Sequence, residues 1–262
     1  NGTYPPATLA FTEISAFEAS DFSIAFFGED DRIVVDADAR PWNMIGFVDL
    51  SSGSCSGTLI GPSTVLTAAH CLANDGVFDT TPVEFLAGYD QGQFVARSAI
   101  VGVHVPQGWL DGERRGNDFA FLFLADPIGE RLGWMEVGPL TAAELSALEA
   151  GSGPEILQAG YSYDQQGVLT GNIGCPFVGV GQGNELFHEC DTLQGDSGSP
   201  LFIQSGGGYR IIGVESHARN NPDPTAPFHL KVATYSGFVV AELAAIGRGA
   251  GTLSPGAAMP SK

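Results

Sequence analysis

LQGDSGSP, residues 193–200, is the stretch on which the reading of this chain turns. It sets Ser197 inside a Gly-Asp-Ser-Gly turn, where Gly195 and Gly198 can take backbone conformations that a Cβ disfavours. Such a turn can aim two backbone N–H groups, those of Gly195 and Ser197, at one point beside the Ser197 hydroxyl. Acyl transfer needs that pairing: a nucleophile, and donors for the oxyanion that forms when it attacks a carbonyl. Glycine-flanked serines also occur in ordinary turns, so the weight of the reading comes from two segments upstream.

LTAAHC, residues 66–71, puts His70 at the end of the apolar, β-like run TVLTAA. GNDFAFLFL, residues 116–124, puts Asp118 at the start of another. Alone, each residue would read as a capped turn or a satisfied core group. Together they supply a general base and the carboxylate that orients it, in the order His70, Asp118, Ser197. Triads recur on unrelated folds in different chain orders. An α/β-hydrolase would show the serine first, and its G-x-S-x-G elbow is not met because residue 199 is Ser.

On these three motifs the chain resembles the trypsin/chymotrypsin superfamily of serine endopeptidases, from about residue 26 to about residue 245. FFGEDDR (26–32), GSCSGTLIGPSTVLTAAHC (53–71), PIGERLGW (127–134) and DTLQGDSGSP (191–200) are similar to the bacterial glutamyl endopeptidases. In particular GSP follows the serine, where pancreatic enzymes have GGP. The resemblance implies an all-β fold of two antiparallel six-stranded β-barrels with a C-terminal helix. The active site would lie in the cleft between the barrels, with polypeptide substrates and no cofactor. It implies a disulfide from Cys55 to Cys71 around the histidine loop, which leaves Cys175 to pair with Cys190. It also implies that Asp196 pairs with an α-amine freed by activation cleavage. Two mature starts fit: near Phe26 or Phe27 by likeness to the glutamyl enzymes, or at the Arg32–Ile33 bond by likeness to trypsin.

Placed by the same resemblance, Asp191 and Thr192 fall at the base of the primary pocket, and Glu215, Ser216 and His217 on its wall strand. The glutamyl enzymes hold a P1 carboxylate with a histidine on that strand, and the matching position here is Glu215. Like charges a few ångströms apart repel, so the expected P1 residue is Arg or Lys. Glutamyl specificity stays open, because His217 lies only two residues further on, and so does a small or apolar P1. The argument lapses if Glu215 points away and pairs with a neighbour. A rival of another class is an inactive protease-fold binding protein.

Thirty acidic residues stand against eleven Lys and Arg, a net charge of −19. Such a surface repels nucleic acid and anionic membranes, and no apolar run approaches a membrane span. The acidity reads as a solubility adaptation. Four cysteines without zinc-type spacing point to disulfides, an oxidising compartment and secretion, with any leader already removed. No metal motif is present, and GEDD (28–31) reads as a solvated acidic turn. His104, His188 and His229 read as structural or surface histidines. A monomer is expected.

Residues 1–25 read as a pro-segment or N-terminal extension, and 26–135 as the first barrel. Residues 136–247 read as the second barrel and C-terminal helix, and 248–262 as a flexible tail. Thr141 and Glu144 form a capping box for a short helix in the link between the halves.

Overall fold

Short β-rich runs separated by turn residues become two curved sheets. The structure, a computed structural model, describes residues 12–13, 26–74, 77–78, 80–220 and 229–249. Six strands build the first unit: β1 (Ile45–Leu50), β2 (Gly53–Leu59), β3 (Thr64–Thr67), β4 (Pro82–Ala87), β5 (Ala96–His104) and β6 (Ala120–Leu124). They close into a barrel in the order β6-β3-β2-β1-β4-β5, with β6 paired antiparallel to both β3 and β5. Closure removes the sheet edges that would otherwise expose unpaired backbone groups. Along β5, buried and exposed residues alternate from Ala96 to Gly102, as the period of two requires when one face meets the core.

The second unit contains β7 (Leu157–Gly160), β8 (Thr170–Ile173), β9 (Phe177–Gly181), β10 (Glu185–His188), β11 (Pro200–Ser205), β12 (Gly208–Asn220) and β13 (His229–Tyr235). Its order is β9-β10-β13-β12-β11-β7-β8, with Ile33–Val34 added beside β8. This ladder is a half-barrel and stays open, unlike the first. Strands β8 and β9 are the ones the sequence pattern conceals. They are glycine-bearing and weakly alternating, and they form because β7 and β10 supply hydrogen-bonding partners.

The capping box is present: Thr141 N donates to Glu144 Oε2 at 2.7 Å and Glu144 N to Thr141 Oγ1 at 3.2 Å, opening the helix Ala142–Glu149. The C-terminal helix runs Ser236–Gly249, two residues beyond the expected stop at Gly247. Its Glu242 meets His104 Nε2 at 2.7 Å, tying the helix to the first barrel. The expected pro-segment (apart from residues 12–13) and residues 250–262 of the expected tail lie outside the described residues. Among the described residues no helix is long and apolar enough to cross a membrane.

Ser56 stitches the two halves together where the site forms. Its N–H donates to Ser197 O at 2.9 Å, its hydroxyl to Gly195 O at 2.9 Å, and it accepts Tyr161 N at 2.8 Å. A buried hydroxyl of strand β2 therefore holds the Ser197 turn against the first barrel.

Candidate active site

The TVLTAA run ends β3 and passes into the single 3-10 turn Ala69–Cys71, which carries His70. Cys71 is bonded to Cys55 of β2, so the turn is covalently fixed to its neighbour strand; Cys175 is bonded to Cys190. Asp118 lies two residues before β6 and is buried. Its Oδ1 accepts the His70 backbone N–H at 2.8 Å and its Oδ2 faces His70 Nδ1 at 2.7 Å. His70 Nε2 lies 2.8 Å from Ser197 Oγ. Because the carboxylate can only accept, the proton of a neutral imidazole sits on Nδ1. The Nε2 lone pair then faces the serine hydroxyl.

The electrostatics follow from burial and contact. Burial opposes a charge on His70, but the Asp118 carboxylate outweighs it and holds the ring above its ordinary 6.5. Burial likewise disfavours the Asp118 anion, yet its contacts with His70 and the Ser216 hydroxyl bring it down to about 2. Asp118 therefore stays ionised, and its charge favours a protonated His70 more than water would.

The Ser197 turn leaves two donors unspent. Gln194 O accepts Tyr163 N at 2.8 Å, so the N–H of the same trans peptide, that of Gly195, points the other way. Asp196 O accepts Ser199 N at 2.8 Å, which likewise turns the Ser197 N–H outward. Neither N–H has an acceptor among the described residues. Glycine is required at both flanks. Gly195 has φ +100° and Gly198 φ +83°, and a Cβ there would strike Tyr161 O or the Ser56 carbonyl and Thr67 hydroxyl.

Asp196 is buried, and burial lifts its carboxyl to about 6. Its Oδ2 accepts Ser162 Oγ at 2.5 Å and Leu193 N at 2.8 Å. These two donors are the partners of Asp196 in place of the expected α-amine.

Several expected pocket residues are committed elsewhere. Asp191 turns to the N-terminal segment: Oδ1 accepts Phe27 N at 2.7 Å and Oδ2 accepts Asp31 N at 3.2 Å. Glu215 is buried and does pair with neighbours. Its Oε1 accepts Thr192 Oγ1 at 3.1 Å, and its Oε2 lies 2.9 Å from His188 Nε2. His188 Nδ1 accepts Cys190 N, so a neutral His188 carries its proton on the nitrogen facing Glu215. Ser216 donates to Asp118 Oδ2 and thus belongs to the triad's support. The His217 ring lies between Ser216 Oγ at 2.8 Å and Arg219 Nε at 3.1 Å. The charge repulsion expected of Asp191 and Glu215 toward an acidic substrate is thereby weakened, since two backbone N–H groups donate to Asp191, and the Thr192 hydroxyl donates to Glu215 with the His188 ring close beside it. The GEDD turn is not simply solvated either: Asp30 pairs with Arg32 at 2.9 Å. Lys231 went unnoticed in the sequence, although it is buried beside Thr192, where its Nζ donates to the carbonyl at 2.8 Å. A lysine inside the β-run FHLKVATY was the available signal. Among the described residues no three His, Cys, Asp or Glu cluster as a metal site.

A closed β-barrel and a half-barrel meeting at a His-Asp-Ser array define a chymotrypsin-like serine protease fold. The chain belongs to the trypsin family, whose description "Trypsin" matches residues 34–239. It is 29% identical over 185 residues to glutamyl endopeptidase of Bacillus licheniformis, covering 68% of this chain and 54% of that protein. It is 27% identical to serine protease 23 of Rattus norvegicus, covering 60% of this chain and 44% of that one. The chain thus spans about half the length of these relatives. In fold it is similar to a Glu endopeptidase solved in complex with MPD, with TM-score 0.70 and 22% identity, covering 86% of this chain and all of the other. It is also similar to the protease Anisep from Arthrobacter nicotinovorans, with TM-score 0.58 and 20% identity, covering 76% of this chain and 93% of the other.

Proposed function

We propose that this protein is a secreted serine endopeptidase acting through an acyl-enzyme. The observation that carries this is the continuous line from Ser197 Oγ to His70 Nε2 at 2.8 Å and from His70 Nδ1 to Asp118 Oδ2 at 2.7 Å. Ser197 Oγ attacks the scissile carbonyl as His70 takes its proton. The outward N–H groups of Gly195 and Ser197 receive the oxyanion. His70 then returns the proton to the leaving amine, Asp118 stabilises the imidazolium, and water repeats the cycle on the acyl-enzyme. General base catalysis contributes about 10²- to 10⁴-fold and one oxyanion donor about 10²- to 10³-fold.

P1 is acidic in this reading, in place of the Arg or Lys expected from the sequence. The likeness to a glutamyl endopeptidase supports it, and so does the commitment of Asp191 and Glu215 to other donors. Removal of residues 1–25 belongs to the same proposal. A cut before Phe27, which takes Phe26 as well, would put an α-ammonium where Phe27 N now lies, 2.7 Å from Asp191 Oδ1, so its partner in this reading is Asp191 in place of the expected Asp196. The Arg32–Ile33 bond is less available: Arg32 is tied to Asp30 and Asp164, and Ile33–Val34 is paired with β8. Two disulfides support an oxidising, extracellular setting.

The test is labelling of the processed protein with a fluorophosphonate, together with casein hydrolysis. Ser197→Ala should fold, resist labelling and lose essentially all hydrolysis. A folded, processed wild type that neither labels nor hydrolyses casein would favour the inactive-scaffold reading.

A further inference from the structure

Three segments converge next to the nucleophile. Residues 191–196 lead into Ser197. Glu215 of β12 is hydrogen-bonded to the two residues that follow the nucleophile, with Gly198 N donating to Glu215 O and Glu215 N to Ser199 O, each at 2.9 Å. Strand β13 lies against β12, with Lys231 in register with Ala218, and against β10, with Lys231 in register with His188. From β13 the Lys231 side chain reaches the 191–196 segment and donates to Thr192 O at 2.8 Å.

That ammonium has an unusual environment. Its residue is only 6% exposed. Buried charges are ordinarily paired, yet the hydrogen-bond acceptor of Lys231 is a neutral carbonyl. No carboxylate among the described residues lies at ion-pair distance from it. An ammonium has three N–H donors, and one is used. The acidic groups nearby each have their own donors: Asp191 has Phe27 and Asp31, Asp196 has Ser162 and Leu193, and Glu215 has Thr192, with the His188 ring 2.9 Å from its other oxygen. Burial pushes the Lys231 ammonium below its usual range, and the fields of Glu215, Asp196 and Asp191 draw it part of the way back.

We propose that Lys231 is the specificity-determining cation of this site, using its unspent N–H donors to receive the carboxylate of an acidic P1 side chain. This rests on the endopeptidase reading above and assigns its P1 selection to a lysine on β13. The wall-strand position where a histidine was sought holds Glu215, whose carboxylate and the His188 ring form a separate buried contact. A P1 side chain entering between residues 191–196 and β12 approaches the one ammonium that spans them. A neutral isostere such as glutamine would leave that ammonium without a counter-ion, and an arginine would repel it.

The experiment compares kcat/KM for peptides identical except for Glu, Gln or Arg at P1, with wild type, Lys231→Met and Lys231→Gln. Fluorophosphonate labelling of Ser197 serves as the check on an intact triad. Wild type should prefer Glu over both Gln and Arg. Lys231→Met should still be labelled at Ser197, while its Glu-to-Gln ratio falls about 30-fold or more, the scale of losing one partner of a buried charge pair. Where Lys231→Met fails to fold, Lys231→Gln, which keeps a donor for Thr192 O, reads the same ratio. A correctly labelled variant that retains the wild-type Glu-to-Gln ratio would overturn the role of Lys231 alone and move recognition to another cation, such as the processed α-amine. A wild type that labels but prefers Arg would overturn the acidic subsite and leave the endopeptidase standing. A wild type that does neither overturns the endopeptidase, and this inference with it.

Discussion

Ser162→Ala isolates the buried carboxylate behind the nucleophile. Asp196 has two hydrogen-bond donors, the Ser162 hydroxyl at 2.5 Å and Leu193 N at 2.8 Å, and burial lifts it from 3.8 to about 6. A group whose folded pKa is raised holds its proton more tightly when folded. The native state is therefore favoured at low pH and loses stability as pH climbs from about 3.8 to about 6. At 1.36 kcal/mol per unit, that loss is about 3 kcal/mol above pH 6. Removing the Ser162 hydroxyl deletes a hydrogen bond to a charged group, worth about 1.5–3 kcal/mol, and pushes Asp196 higher by one to two units. The variant should then be about 2 kcal/mol less stable than its parent at pH 8 through this ionisation. At pH 5, where Asp196 is protonated in both, that extra penalty should nearly vanish. Urea denaturation of both proteins on a Ser197→Ala background, which prevents self-digestion, measures this at the two pH values. Equal destabilisation at pH 5 and pH 8 would show that the bond supports packing without stabilising an anion, and the electrostatic account of Asp196 would be wrong.

The contact with Asp118 keeps His70 above its ordinary 6.5, and only the neutral ring accepts the Ser197 proton. kcat/KM should therefore fall on the acid side with a midpoint above 6.5, and Asp118→Asn should move that midpoint down; a wild-type midpoint well below 6.5 would contradict the ion pair. Terminal sequencing of the active species should give a start at or near Phe26 or Phe27, and a fully active enzyme still beginning at Asn1 would refute the pro-segment.

The candidate triad could be located in the sequence because each member sits in a short, self-contained motif. The glycines around Ser197, the apolar run ending at His70 and the run opening at Asp118 each announce a strand end or a turn by local chemistry. The same holds for the Thr141–Glu144 capping box, three residues apart, and for most of the first barrel, whose strands are short β-rich runs broken by turn residues. The pairings of Cys55 with Cys71 and Cys175 with Cys190 also followed, through family likeness. Strands β8 and β9 escaped because their glycines and polar residues carry little pattern of their own, and their pairing partners supply the order.

What the sequence could not decide is which charges meet. Asp191, Glu215, His188 and Lys231 come from four separate segments, and their contacts exist only after β10, β12 and β13 pair in register. Sequence position put Asp191 and Glu215 near the substrate, but position says nothing of side-chain direction or of competing donors. Folding gives Asp191 to Phe27 and Asp31, sets Glu215 against His188, and leaves the Lys231 ammonium with a single carbonyl. Local chemistry therefore suffices to find a nucleophile, because a turn is made of neighbours. The electrostatic sign of a buried pocket is a sum over residues that only tertiary structure brings within a few ångströms, where a buried charge is weakly screened.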